Sequence, residues 1–276
     1  MKEDYDIEAA GLSIFARRED AAPLPLVRDI SFAVPRGRIS ALIGESGSGK
    51  SLTASVLLGL TDTDQYDVSF ARLRILDTEL RSLDDAGFAH LRGTSIGYVT
   101  QDPGRSLDPT MTVGDQIAEL FVLHQGMGWH AARHEAVRAL DQVRIASAAA
   151  RASDYPHSFS GGMKQRIVIA GAIALKPRIL IADEPTSALD VTVQAEILAL
   201  IDELRRTMKM SVLLITHDLG IVYQLADQVL VMNRGEIVER GEAEQICRSP
   251  MQDYTRRLIA AVPDIGDAPG RRGVHG

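Results

Sequence analysis

One cysteine, one tryptophan and the lack of any long apolar run limit what this 276-residue chain can do. A single thiol, Cys247, closes no internal disulfide, so the fold rests on packing and suits a reducing cytoplasm. No apolar stretch approaches the ~18 residues that a bilayer crossing needs, so a membrane role would pass through a partner. The first residues, Met1-Lys2-Glu3-Asp4-Tyr5-Asp6, are too acidic for a secretory signal. Basic charge is short too. Thirty Lys and Arg stand against 37 Asp and Glu, a formal net charge of -7. A face that binds nucleic acid by neutralising phosphates needs the opposite balance, so no nucleic-acid partner is expected. What remains is an ordinary globular composition, 45% apolar and 24% charged, in a length that suits one large domain or a core with an inserted subdomain.

Residues 26–34 alternate, with Leu26, Ile30, Phe32 and Val34 apolar, and read as a half-buried strand. Pro35-Arg36-Gly37 turns into a short strand, 39–43, that runs into a glycine-rich loop. A helix follows over 51–60. Leu73 and Ile75 between arginines predict an edge strand, and 96–100 a strand ending at Gln101. Residues of about 105–165 are polar, rich in Ala and Arg, and helical in pattern, which predicts a helical insertion. Then strands at 179–182, 212–216 and 229–232 alternate with a helix over 191–208. That alternation predicts an α/β fold with a parallel sheet covered on both sides. Asn233-Arg234-Gly235 is a hairpin turn into 236–238, and the tail beyond Pro263 has no periodicity and reads as disordered.

The chemistry sits where strands end. Gly44-Glu45-Ser46-Gly47-Ser48-Gly49-Lys50-Ser51 follows a strand and opens a helix, the context a phosphate loop requires. Glycines let backbone amides turn inward around phosphates, and the helix N-terminus adds a favourable dipole. Lys50 would reach the β- and γ-phosphates, and the Ser51 hydroxyl would ligate Mg²⁺. Asp183 and Glu184 close a buried strand, at the sheet edge where α/β folds bind ligands. Asp183 would hold Mg²⁺, through water, and Glu184 would polarise an attacking water. His217, after another buried strand, would touch the γ-phosphate, and Gln101 would sense the Mg²⁺ or the water. A second glycine loop, Ser160-Gly161-Gly162, precedes the acidic strand and frees amides at a helix start for another phosphate contact.

Together, Gly44–Ser51, Gln101, Ser160-Gly161-Gly162, Asp183-Glu184, Ser187-Ala188-Leu189-Asp190 and His217 resemble the ATP-binding-cassette (ABC) ATPases in order and spacing, over nearly the whole chain. The resemblance implies a P-loop NTPase (RecA-like) core with a parallel sheet, an N-terminal antiparallel β subdomain and an inserted helical subdomain. It also implies ATP held between the phosphate loop of one subunit and the Ser160-Gly161-Gly162 loop of another, with Ser187–Asp190 communicating across that dimer. An ABC domain would then span 1–263, with a family extension at about 242–263 and a tail at 264–276. Two departures stand out. The family's Leu-Ser-Gly-Gly-Gln is here Phe159-Ser160-Gly161-Gly162-Met163, and Leu52 stands where many members carry Thr or Ser near the α-phosphate. The adenine-stacking aromatic falls at Phe15, or the alignment places Ala16 there.

Gln101-Asp102-Pro103, Ser106-Leu107-Asp108-Pro109, Thr112–Ile117, the Ser-Gly-Gly-Met variant and the C-terminal Tyr254-Thr255-Arg256-Arg257-Leu258 are similar to the peptide/nickel importer branch. That implies two membrane permeases, a second ATPase (a homologue or the same chain) and, indirectly, a solute-binding protein, with the chain peripheral at the cytoplasmic face. Relatives with an iron–sulfur cluster carry a cysteine-rich segment that this sequence lacks. A cassette acting outside transport, in DNA repair or translation, would bring a long coiled coil or two cassettes, neither of which lies in these 276 residues. No Asn-Lys-x-Asp motif points to a GTPase. His130 and His134 have metal-ligand spacing without a third ligand, so a solvated face is expected. Arg133, Arg138, Arg144 and Arg151 are expected as surface charge. Phe121, Val122 and Leu123 would face a membrane partner or pack the helical insertion.

Overall fold

The computed structural model describes residues 4–19, 21–187 and 189–261. The expected tail (264–276), the end of the expected extension (262–263) and Ala188 lie outside the described residues. The chain divides into two units, Met1–Arg81 with Leu213–Gly276, and Ser82–Val212.

The first unit begins with two long antiparallel strands, β1 (Tyr5–Ala16) and β2 (Leu24–Pro35). Alternation along β1 buries Ile7 and Ala9, then skips a residue to bury Leu12 and Ile14. The skip falls at Gly11, whose φ of 65 allows a bulge and resets the phase. In β2 the same happens at Asp29 (φ 46), whose amide donates to the Ser13 hydroxyl at 2.9 Å. Val27, rather than the expected Leu26, therefore takes the buried position opposite Ile14. Fully burying side chains such as Ile7, Leu12, Ile14 and Ile30 contributes roughly 1.5–3 kcal/mol each. Next come β3 (Ile39–Ile43), buried throughout as a central parallel strand must be, and α1 (Lys50–Leu57). Three short strands complete the antiparallel sheet: β4 (Tyr66–Ser69) on β1, β5 (Arg72–Ile75), and β6 (Thr78–Glu79). The order β2-β1-β5-β6 places the Leu73–Ile75 strand inside the sheet, not at the edge the sequence predicted, because two-residue β6 covers its outer side.

The second unit holds α2 (Asp85–Thr94), β7 (Ile96–Val99), α3 (Pro103–Ser106), α4 (Val113–Gln125), α5 (Trp129–Gln142), α6 (Ala148–Arg151), α7 (Gly161–Ile173), β8 (Ile179–Asp183) and α8 (Val191–Met208). Strands β7 and β8 are parallel, with Val99 opposite Ala182. Helix α4 packs Ile117, Ala118 and Phe121 inward, and α5 meets it with Ala132, Ala136 and Ala139, small residues that let the helices approach closely. Phe121 thus packs the helical region, while Leu123 is 69% exposed.

Strand β9 (Ser211–Thr216) carries the chain back to the first unit. There follow α9 (Leu219–Leu225), β10 (Gln228–Asn233), β11 (Glu236–Glu242), α10 (Ala243–Arg248) and α11 (Asp253–Ala260). Strand β10 runs parallel to β3 and antiparallel to β11. Arg234 (φ 48) and Gly235 (φ 86) make the two-residue left-handed turn of that hairpin.

Candidate nucleotide site

The phosphate loop lies in the first unit. It leaves β3 at Gly44, where an added Cβ would meet the Met232 carbonyl oxygen at 2.1 Å. Gly49 is constrained by its backbone instead, since its φ of 109 lies in the region that favours glycine. No larger residue fits at Gly44, where the obstruction is backbone. Lys50, 5% exposed, folds its ammonium back over the loop. Its Nζ donates to the carbonyls of Gly44 (2.8 Å) and Glu45 (2.9 Å) and to the Ser48 hydroxyl (3.5 Å). Gly49 caps α1 without a side chain, so the first amides of that helix have no side-chain acceptor from the cap. Helix dipole, glycine amides and the ammonium all favour an anion here. Ser51 is exposed at the head of α1, and Leu52 is half-buried behind it. His217, also in the first unit, is exposed just beyond β9 and ahead of Asp218, which caps α9.

The other candidates lie in the second unit. Asp183 ends β8 and is buried. Glu184 follows in the left-handed region (φ 45), a conformation that costs a residue with a Cβ about 1–2 kcal/mol. Gln101, exposed beyond β7, donates its side-chain amide to Glu184 Oε2 at 3.2 Å. Tyr98, on β7, was not singled out by sequence. Burial first, and then the Asp183 carboxylate, push its phenol up to about 12, so it stays neutral beside that charge.

The second glycine loop has its own scaffold. Ser160 caps α7 by accepting from the Met163 amide (3.4 Å), and Asp190 caps α8 by accepting from the Val193 amide (3.0 Å). The two helix starts are close, since a Cβ on Gly162 would lie 2.5 Å from Val193 Cγ1. Arg151, expected as surface charge, instead grips this loop. Its guanidinium lies 4.1 Å from the Phe159 ring centroid and donates to the Ser158 carbonyl (3.0 Å) and the Met163 sulfur (3.6 Å). Asp154 holds the same guanidinium at 3.3 Å. Both residues that depart from the family pattern within this loop, Phe159 and Met163, are therefore Arg151 partners. No local sequence signal links positions 151, 159 and 163.

Phe15 is half-buried on β1, opposite Pro25 and Asp67. A cavity of about 510 Å³ nearby is lined by Ala16–Glu19 and Asp64–Tyr66, so Ala16 lines it, Phe15 does not, and its aromatic is Tyr66. His130 and His134 stack edge-on at 4.9 Å on an exposed face. No cluster of three or more metal-ligating side chains occurs among the described residues. No helix there is long and apolar enough to cross a membrane.

A model of the ABC transporter family matches residues 27–187. The chain is 48% identical, over 91% of its length, to the glutathione import ATP-binding protein GsiA of Escherichia coli (strain K12), of which it covers 41%. It is 46% identical, over 96% of its length, to the GsiA of Salmonella typhimurium, of which it covers 43%. The chain thus spans under half the length of these curated relatives. Among solved structures it is similar to cbiO1 of Clostridium perfringens, part of the ABC transporter complex cbiONQ (TM-score 0.76, 26% identity, 96% of this chain and 98% of that one). It shares the fold of the dimeric cassette MJ0796 in a post-hydrolysis state with ADP and Pi (TM-score 0.74, 23% identity, 86% and 98%). The α/β fold, the glycine cradle around Lys50 and the family match agree: the chain belongs to the ABC transporter family.

Proposed function

We propose that this chain is the ATP-binding and ATP-hydrolysing subunit of an importer for peptides, nickel or a related small solute. The observation that carries the reading is the Lys50 ammonium seated in a glycine cradle, in a chain whose relatives are named for glutathione import. Glutathione is a tripeptide, which favours a peptide-like solute. In this reading the loop amides beyond Glu45, as far as Leu52, hold the phosphates of ATP, the Glu45 amide being taken by the Tyr254 phenol, and Lys50 turns to the β- and γ-phosphates. The Ser51 hydroxyl and Asp183 carboxylate are hard oxygen donors, of the kind Mg²⁺ takes one or two at a time beside water and phosphate. The absence of a carboxylate cage among the described residues fits a cation that arrives with its nucleotide. Mg²⁺ bound with the nucleotide would neutralise phosphate charge.

Glu184 takes the proton of the attacking water, and Gln101, through its bond to that carboxylate, keeps it aimed. His217 contacts the γ-phosphate. Ser160-Gly161-Gly162 caps the nucleotide of a second cassette, and Asp190, with Ser187 to Leu189, lies along that junction. ATP closes the pair because it binds the closed state better, and hydrolysis reopens it. The chain sits peripherally at the cytoplasmic face of the membrane, bound to two membrane-spanning permeases that in turn receive solute from a solute-binding protein. The test is uptake of labelled glutathione, dipeptides and Ni²⁺ by cells carrying wild-type or Lys50→Ala protein, with ATP binding measured on the purified chain. Loss of one solute's uptake in the variant supports the role. Unchanged uptake of all three refutes it, and unchanged ATP affinity in Lys50→Ala refutes the phosphate-loop assignment.

A further inference from the structure

The motif Tyr254-Thr255-Arg256-Arg257-Leu258 has no part in the function above, yet its first residue reaches the phosphate loop. Helix α11 lacks a side-chain cap of its own. Glu239 on β11 supplies one, its carboxylate accepting the amides of Met251 (2.6 Å) and Gln252 (3.2 Å) just ahead of the helix. Arg256 ties down the same turn, donating to the carbonyls of Met251 (2.8 Å) and Pro250 (3.2 Å) and pairing with Asp253 (2.5 Å). With its start held this way, the helix turns Tyr254 and Thr255 inward, 9% and 0% exposed. The Tyr254 phenol accepts the Glu45 amide at 3.1 Å.

That amide belongs to the Gly44–Glu45 peptide, which is planar, so its N–H and C=O turn together. The carbonyl of the same peptide accepts the Lys50 ammonium at 2.8 Å. One rigid plane therefore has the tyrosine on one edge and the lysine on the other. The Met232 carbonyl crowds Gly44 from the side. Further round the loop, the Gly235 amide of the β10–β11 turn donates to the Ser48 carbonyl at 3.0 Å. The β10–β11 hairpin and the helix it anchors thus hold the loop at two points.

We propose that Tyr254 is a positioning residue for the phosphate loop, fixing the Gly44–Glu45 peptide plane and through it the place of Lys50. This rests on the ATPase reading. Tyr254→Phe keeps the ring and removes only the hydroxyl. Because Lys50 serves the β- and γ-phosphates, the variant should weaken ATP and ADP by about fivefold, the worth of one net hydrogen bond, and leave AMP unchanged. The melting temperature should hold within about 2 °C. Arg256→Ala leaves the tyrosine but frees the helix start, and should weaken ATP in the same direction. Affinities of purified wild type and variants for ATP, ADP and AMP, with melting curves, decide the matter. Weaker ATP and ADP with constant AMP bears the proposal out. Unchanged ATP affinity in Tyr254→Phe overturns the positioning role and leaves the ATPase reading standing. An equal loss for all three nucleotides, with a lower melting temperature, reduces Tyr254 to packing and also overturns it. A wild type that binds no ATP overturns both readings.

Discussion

Arg151→Ala should cripple turnover without touching ATP binding by its own chain. The guanidinium makes a cation–π contact with Phe159, worth about 0.5–1 kcal/mol at a part-exposed site, and a charge-assisted bond to the Ser158 carbonyl, worth about 1.5–3. With the side chain 27% exposed, water replaces part of this, leaving roughly 2 kcal/mol holding the Ser160–Gly162 loop. That amounts to about a thirtyfold shift in the loop's ordering equilibrium. If the loop caps the nucleotide of a second cassette, steady-state ATPase activity should fall by up to that factor. ATP affinity of the separate subunit should change by less than about twofold. Arg151→Lys should rescue little, because an ammonium cannot stack flat on the ring while bonding in its plane. The assay is ATP turnover against protein concentration, beside nucleotide titration of dilute protein. Wild-type turnover in Arg151→Ala, or a matching fall in subunit ATP affinity, would refute this role for Arg151.

Gly162→Ala places a Cβ 2.5 Å from Val193 Cγ1 and should cost about 1–3 kcal/mol in thermal or denaturant melts, with Val193→Ala in the double variant restoring most of it. Burial tends to raise the Glu239 pKa, but the Thr255 hydroxyl, the Met251 and Gln252 amides and Arg256 outweigh it, so it lies below its ordinary 4.5. The stability this lends is complete above 4.5 and vanishes as pH falls through the depressed folded value; Glu239→Gln should therefore melt lower than wild type at pH 7, and the gap should narrow in acid. If the cavity beside Tyr66 takes the adenine base, Tyr66→Ala should weaken ATP more than Phe15→Ala does, and the reverse order would return that role to Phe15.

Much of this fold was legible because its buried parallel strands are short, largely apolar runs that end at chemistry. Strands β3 and β8 are buried at every position, so Ile39–Ile43 and Ile179–Ala182 stand out without any need of alternation. The phosphate loop is legible for a related reason, since a strand, four fixed positions and a helix must follow in order. Strand β1 was not legible, because the bulge at Gly11 breaks the two-residue period that would have revealed it. Helix α2 buries only Leu91, too little for a helical period to show. The grip of Arg151 on Phe159 and Met163, and of Tyr254 on Glu45 across 209 positions, arises only once the chain has folded. A guanidinium or a phenol carries no mark in sequence of what it will touch.

We propose Glu184 as the base in ATP hydrolysis, held by Gln101 at the end of β8. Glu184→Gln keeps the shape and removes the proton acceptor. The most direct test measures ATP affinity and single-turnover hydrolysis of that variant. ATP affinity should stay within about threefold of wild type and hydrolysis should slow by roughly 10²–10⁴, with intact ATP retained on the protein. Hydrolysis at the wild-type rate would contradict it.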